Sequence, residues 1–279
     1  MITIQDVSFT YKDEQAPALQ EVSLSVPDGG FLGVIGPAGA GKTTLARAVS
    51  GMIPHLYPGD FYGSVTVNGM DTFEAPLTDL SRQVGTVFQD VDSQIISPIV
   101  EDELLYGLEN FGIPREEIPL RIDEALRQVG IADLRERTVT SLSGGQRQKV
   151  AIASVIALKP NILVLDEPTG ELDPRSSRQV FSLLKELNET HGITVILIEQ
   201  KIMLLCEFAK QLAVLSKGRI VRQGETREVL AHADELQALG VNCPRVTTLS
   251  RVLSDRLGEE QDVCTNLDEA EAMIRRLIP

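Results

Sequence analysis

Cysteine and histidine are scarce in this chain of 279 residues, with three of each. Cys206, Cys243 and Cys264 are too far apart for a metal knuckle and form no disulfide framework; an odd count suits a reducing compartment. His55, His191 and His232 are equally scattered, so no zinc site is expected. Long apolar runs are missing too. Val150–Leu158, broken by Ser154, falls well short of the roughly 20 residues that span a bilayer. The start, Met1–Asp6, has no basic stretch leading into an apolar one, so a soluble chain without a targeting segment is expected. Positive charge is in deficit: 26 Lys and Arg face 40 Asp and Glu, a net charge of −14. So acidic a surface disfavours gripping a polyanion over a broad face, and nucleic acid is not an expected partner. A small phosphate pocket built from backbone amides remains compatible with it.

What is present is mostly aliphatic. With 43% hydrophobic residues, the chain can build one large domain, or a domain with an extension. Short β-like runs open it, Ile2–Phe9, Val22–Val26 and Phe31–Ile35, punctuated by Pro27 and Gly29-Gly30. Phe31–Ile35 is nearly all apolar, as a strand buried on both faces of a sheet is. Ile162–Leu165 and Thr194–Ile198 read the same way, with a helical pattern over Arg175–Glu189 between them. Strands alternating with helices imply an α/β fold with a parallel sheet covered on both sides. From about residue 90 to 158 the pattern is mostly helical, as in Leu120–Val129, which predicts a helical subdomain inserted between core strands. Beyond Gly224 the β signals stop, and Thr226–Pro279 reads as helices and loops. In the last helix Asn266 is the predicted cap and Glu269 completes a capping box. Leu267, Ala270, Met273, Ile274 and Leu277 form its predicted apolar stripe.

The segment Gly36-Pro37-Ala38-Gly39-Ala40-Gly41-Lys42-Thr43, followed by Thr44, fits G-x-x-x-x-G-K-[ST]. It lies between a buried strand and a helical stretch, Leu45–Ser50, as phosphate binding requires. Lys42 is placed to reach the β- and γ-phosphates, and Thr43 to offer a hydroxyl to Mg²⁺. In Ile162–Glu167 four apolar residues bury a strand, and Asp166 emerges at its C-terminal end, where ligands of open α/β sheets bind. Asp166 can hold the Mg²⁺ through water while Glu167 polarises an attacking water. Leu142-Ser143-Gly144-Gly145-Gln146 precedes a helical run, Gln148–Leu158, and makes a second anion-binding helix N-terminus. One nucleotide needs one cradle. A second makes sense if it serves the nucleotide held by another copy.

These motifs, in this order, resemble the nucleotide-binding subunit of ABC transporters over about residues 1–224. The resemblance implies a P-loop NTPase cassette: a mainly parallel core sheet, an N-terminal antiparallel β part, an inserted helical subdomain and a helical C-terminal extension, 225–279. It implies ATP and Mg²⁺ as ligands, with Tyr11 stacked on adenine, and Gly36–Thr44 and the signature Ser143–Gln146 on phosphates. Thr43, Asp166 and the Q-loop residue Gln89 fall at the metal, Glu167, Gln89 and Gln200 (at the switch position) among the catalytic groups, and Gly170–Asp173 in the D-loop. Val87–Gln94, Val100–Glu103, Tyr106–Asn110 and Gly240–Leu249 are most similar to the ATPases of energy-coupling factor transporters, which import vitamins or cobalt and nickel ions. That family has a short extra helix after the Q-loop, which residues 92–97 fit, and a C-terminal extension that helps pair the ATPases. The implied partners are a second ATPase, identical or paralogous, a transmembrane energy-coupling subunit and a substrate-binding membrane subunit. The implied location is peripheral, on the cytoplasmic face of the membrane. Glu101, Asp102 and Glu103 are expected either to meet arginines of the transmembrane subunit or to be a solvated helix start.

One position departs from the family. After Thr194–Ile198, where a switch histidine normally contacts the γ-phosphate, the chain reads Glu199-Gln200-Lys201. Gln200 can donate a hydrogen bond but cannot relay a proton. Two further readings stay open: a soluble ABC ATPase outside transport and, because of Gln200, an ATP-binding regulatory subunit that barely turns over.

Overall fold

The computed structural model describes residues 1–259 and 261–277. Among them are ten strands: β1 (Ile2–Tyr11), β2 (Leu19–Val26), β3 (Phe31–Ile35), β4 (Gly59–Val67), β5 (Met70–Asp71), β6 (Val84–Val87), β7 (Ile162–Asp166), β8 (Thr194–Ile198), β9 (Gln211–Ser216) and β10 (Arg219–Glu225). They form two sheets. An antiparallel sheet has the order β2-β1-β4-β5, and a six-stranded one runs β10-β9-β3-β8-β7-β6. In the second sheet every pairing is parallel except β10 with β9. All residues of β3, β7 and β8 are buried, because helices pack on one face and the phosphate-loop helix with the antiparallel sheet on the other.

The order β3-β8-β7-β6 sets the site. It brings the C-terminal ends of strands that are far apart in sequence to one edge: Ile35, Ile198, Asp166 and Val87. Loops leaving that edge carry Gly36–Lys42, Glu199–Lys201, Glu167–Asp173 and Gln89. Four helices, Val91–Gln94, Val100–Asn110, Ile118–Gln128 and Gly144–Ile156, lie between β6 and β7.

Several boundaries differ from the sequence expectation. The helix expected at Gln148 begins at Gly144, because Ser143 caps it and offsets the weak helix propensity of two glycines. The short helix after the Q-loop is Val91–Gln94 rather than residues 92–97. Leu120 lies outside the buried stripe of its helix, which is Ile118, Ile122, Ala125 and Leu126; two residues from the stripe a side chain turns to solvent. Four strands escaped the reading. β4 is half exposed and interrupted by Gly63, β5 has two residues and β6 four, and β9 follows too closely on β8 to be separated from helix by pattern.

Past residue 225 come the helices Thr226–Leu230, Ala233–Ala238, Arg245–Leu257 and Leu267–Leu277; residues 260, 278 and 279 of the expected extension lie outside the described residues. In the last helix Asn266 Oδ1 accepts the Glu269 N–H at 2.9 Å, as a cap does. Glu269, however, returns to the N–H of Thr265 at 2.9 Å, one residue before the expected partner, while Arg227 holds its other oxygen at 2.5 Å. Ala270 and Met273 are buried against Val246 and Cys264, but Leu267 and Ile274 are exposed, so the buried stripe is narrower than expected.

The acidic run at the start of Val100–Asn110 is largely used within the chain, which corrects the expectation that all three carboxylates face a partner or solvent. Glu101 bonds Arg135 at 2.5 Å, and the buried Glu103 accepts the N–H groups of Ile96 and Ser97 at 2.9 and 2.8 Å. Only Asp102 is exposed. The hydrogen bond from Arg135 holds the Glu101 carboxyl below its ordinary value of 4.5. A depressed carboxylate contributes stability above its unfolded value and loses it as pH falls through the folded one. The Glu101→Gln variant is thus expected to melt slightly lower than wild type at pH 7. That gap should close below pH 4.5 as Glu101 protonates; a gap independent of pH in thermal melts would contradict the assignment.

Candidate nucleotide site

β3 ends at Ile35 and the chain turns through Gly36, where a Cβ would lie 2.1 Å from the Leu215 carbonyl oxygen. Gly41 has φ +100°, and a Cβ there would lie 2.3 Å from the Ala18 oxygen. Only glycine fits either position. Gly41 also stands at the N-cap of Lys42–Val49 without a side-chain acceptor, which leaves the first-turn N–H groups free to receive an anion. Lys42 is buried, and its Nζ donates to the carbonyls of Gly36 and Pro37 at 3.0 Å each. Its third donor remains for a phosphate oxygen.

Asp166 closes β7 and is buried. Burial pushes its carboxyl above the ordinary range and the charge of Glu167 adds to this, while the Thr43 hydroxyl and the charges of Lys42 and Arg47 pull it down. Thr43 and Asp166 line a cavity of about 520 Å³ together with Gln89, so the three residues expected at a metal share one space. Gln94 braces the Q-loop: its side chain accepts the Phe88 N–H at 3.0 Å and donates to the Thr86 carbonyl at 3.1 Å. Asp90 caps the short helix that follows through the Ser93 N–H, at 3.1 Å.

Glu167 has φ +50°, a left-handed conformation costing a non-glycine residue about 1–2 kcal/mol. Its N–H is held by the Ile198 carbonyl at 2.9 Å. In that pose its carboxylate receives two amides: Gln200 Nε2 at 2.7 Å and Gln89 Nε2 at 3.2 Å. The three residues expected to act in hydrolysis therefore meet at one carboxylate.

Tyr11 lies against the phosphate-loop helix. Its hydroxyl is 3.1 Å from Thr44 Oγ1 and accepts from Arg47 at 2.9 Å, and the guanidinium of Arg47 lies 4.1 Å from the centre of the Tyr57 ring. Arg47 and Tyr57 were not read from the sequence; an arginine five positions beyond Lys42 on a short helix was the available signal.

Ser143 and Gln146 form a reciprocal cap on Gly144–Ile156. Ser143 Oγ accepts the Gln146 N–H at 3.3 Å, and Gln146 Oε1 accepts the Ser143 N–H at 2.9 Å. Arg147, also missed, bridges this helix to Asp92 at 2.7 Å and to the Leu142 carbonyl at 2.8 Å. Gly144 and Arg147 line a cleft of about 440 Å³ together with Glu167, Gln200 and Gln89.

A glycine-lined cradle, a lysine inside it and a carboxylate at the end of a neighbouring strand describe a P-loop nucleotide site. The sequence profile of the ABC transporter family matches residues 19–170, more than half of the chain. The chain belongs to the ABC transporter ATPases. The energy-coupling factor transporter ATP-binding protein EcfA1 of Caldanaerobacter subterraneus subsp. tengcongensis is 41% identical over 257 residues, covering 91% of each chain. Among solved structures, cbiO1 of Clostridium perfringens, part of the ABC transporter complex cbiONQ, superposes with a TM-score of 0.76. It is 29% identical, with 90% of this chain and 98% of that one covered. The ATP-binding cassette MJ0796, a dimer in a post-hydrolysis state with ADP and Pi, gives 0.71 at 27% identity, covering 81% and 99%. The α/β fold is thus that of an ABC ATPase cassette, an enzyme that binds and hydrolyses ATP. Among the described residues no helix is long and apolar enough to cross a membrane.

Proposed function

We propose that this ABC ATPase is the motor of an energy-coupling-factor importer for a vitamin or a transition-metal ion. Two cassettes, identical or paralogous, close head to tail on ATP, and hydrolysis reopens them. A transmembrane energy-coupling subunit follows that motion and a substrate-binding membrane subunit selects the cargo. The cassette sits peripherally on the cytoplasmic face. Residues 1–224 are its ATPase domain, with 90–158 as the helical subdomain, and 225–279 help to pair the ATPases.

The observation that carries the reading is the convergence of Gln89 and Gln200 on Glu167, beside the Lys42 cradle. In the assigned roles Lys42 and the loop amides from Gly36 to Thr44 bind the phosphates, and Tyr11 supports the base. Glu167 takes a proton from water while both amides fix its orientation. Ser143–Gln146 present their helix N-terminus to the partner's nucleotide. Thr43 and Asp166, with Gln89, form an all-oxygen donor set, which suits a Mg²⁺ that keeps its waters and takes phosphate oxygens. When bound, the metal neutralises charge on the β- and γ-phosphates. Likeness to EcfA1 and cbiO1 supports the transporter type. Purification from membranes, with identification of the proteins that accompany the chain, tests it; recovery without membrane subunits would count against it.

Gln200 favours a second reading, a cassette that binds ATP and turns over slowly. An amide on Glu167 supplies the hydrogen bond of a switch residue but no proton relay. Gln200→His is therefore expected to raise the single-turnover rate without tightening ATP binding. Equal rates would mean that the amide is a full replacement.

A further inference from the structure

Two charged residues flank Gln200, and both are anchored to the same short segment. Glu199 is buried; its Oε2 accepts the Thr169 hydroxyl at 2.8 Å and its Oε1 the N–H groups of Gln200 and Lys201 at 3.1 and 3.3 Å. Lys201 Nζ donates to the Thr169 carbonyl at 2.5 Å, the Leu172 carbonyl at 2.7 Å and Ser177 Oγ at 2.8 Å. An ammonium has three donors, and all three are used. Thr169 is gripped twice, by its hydroxyl and by its carbonyl, and it lies two residues beyond Glu167.

Burying a carboxylate such as Glu199 is costly, and an apolar side chain of similar size often stabilises a fold as well or better; Lys201 is half-buried. What the charged pair supplies is geometry. Burial pushes the Glu199 carboxyl up, and the hydrogen bonds from Thr169, Lys201 and Gln200 pull it down. The loop leaving β7 is thereby fastened, just beyond Glu167, to the residues on either side of Gln200 in the loop leaving β8.

We propose that Glu199 and Lys201 are positioning residues that clamp the segment Glu167–Leu172 to the switch loop, so that the catalytic carboxylate and the Gln200 amide move as one body. The proposal rests on the assignment of Glu167 as the water-activating carboxylate.

The test compares kcat with ATP affinity in the full chain. A displacement of about 1 Å at a reacting group lowers rate roughly 100-fold. Lys201→Met, which keeps the stem and removes the donors, is therefore expected to lower kcat about 10- to 100-fold with ATP affinity unchanged. Thr169→Val, which keeps the shape and removes only the hydroxyl, should lower kcat in the same sense, and Thr169→Ser should recover most of that loss. Because the clamp acts through the Gln200 contact, Lys201→Met should cost little more in a Gln200→Ala background. Wild-type kcat in Lys201→Met, a Thr169→Ser loss equal to that of Thr169→Val, or full additivity with Gln200→Ala would overturn the proposal. If Lys201→Met does not fold, the Thr169 pair decides. Glu167→Gln is the separate control: wild-type turnover there would refute the site assignment itself, whatever the clamp variants do.

Discussion

Lys42→Ala is expected to weaken ATP binding about 100-fold, and a calorimetric titration with Mg·ATP measures it directly. One charge-assisted hydrogen bond to phosphate is worth about 1.5–3 kcal/mol, or roughly one to two decades. The structure places the effect near the upper end, because the same ammonium holds the carbonyls of Gly36 and Pro37 at 3.0 Å. Its removal takes away a phosphate ligand and also the tie that keeps the loop closed around it. Unchanged affinity would mean that the Gly36–Thr43 loop does not bind the phosphates.

Glu167→Gln is expected to lower turnover by about 10²–10⁴ while ATP binding persists, since a positioned base is worth that much. The contacts sharpen this expectation. Glu167 accepts from two amides, one on each oxygen. A glutamine there has one acceptor oxygen, so its own NH₂ would face the NH₂ of either Gln89 or Gln200. One contact is lost along with the base, and ATP loaded into the cradle then stays unhydrolysed. Gel filtration with ATP should show a long-lived dimer of this variant. A monomer only, at ATP concentrations that saturate the site, would rule out head-to-tail closure.

The phosphate loop was legible because its chemistry is contiguous: strand, glycines, lysine and helix succeed one another within about a dozen residues, and the turn at Gly36 and Gly41 is dictated locally. Asp166 and Glu167 were legible for the same reason, as acids at the end of an apolar run. The helix cap at Ser143 was visible in composition, but its start was misplaced by four residues, since glycine propensity argues against helix until the reciprocal bond with Gln146 is seen. The acidic run was misread because Arg135, the partner of Glu101, lies 34 residues away.

By itself, then, the sequence determined the family, the phosphate cradle and the fact that Gln200 stands where a histidine is usual. Only the tertiary structure decided what Gln200 does. It bonds a carboxylate 33 residues earlier in the chain, which Gln89 approaches from a further 78 residues before that. The reason is topological. Parallel strands in the order β3-β8-β7-β6 bring four C-terminal ends to one edge in an order different from that of the chain, and no local pattern encodes which ends become neighbours. Register then does the rest: Asp166 pairs with Ile198, so the residues that follow them, Glu167 and Glu199-Gln200-Lys201, emerge side by side.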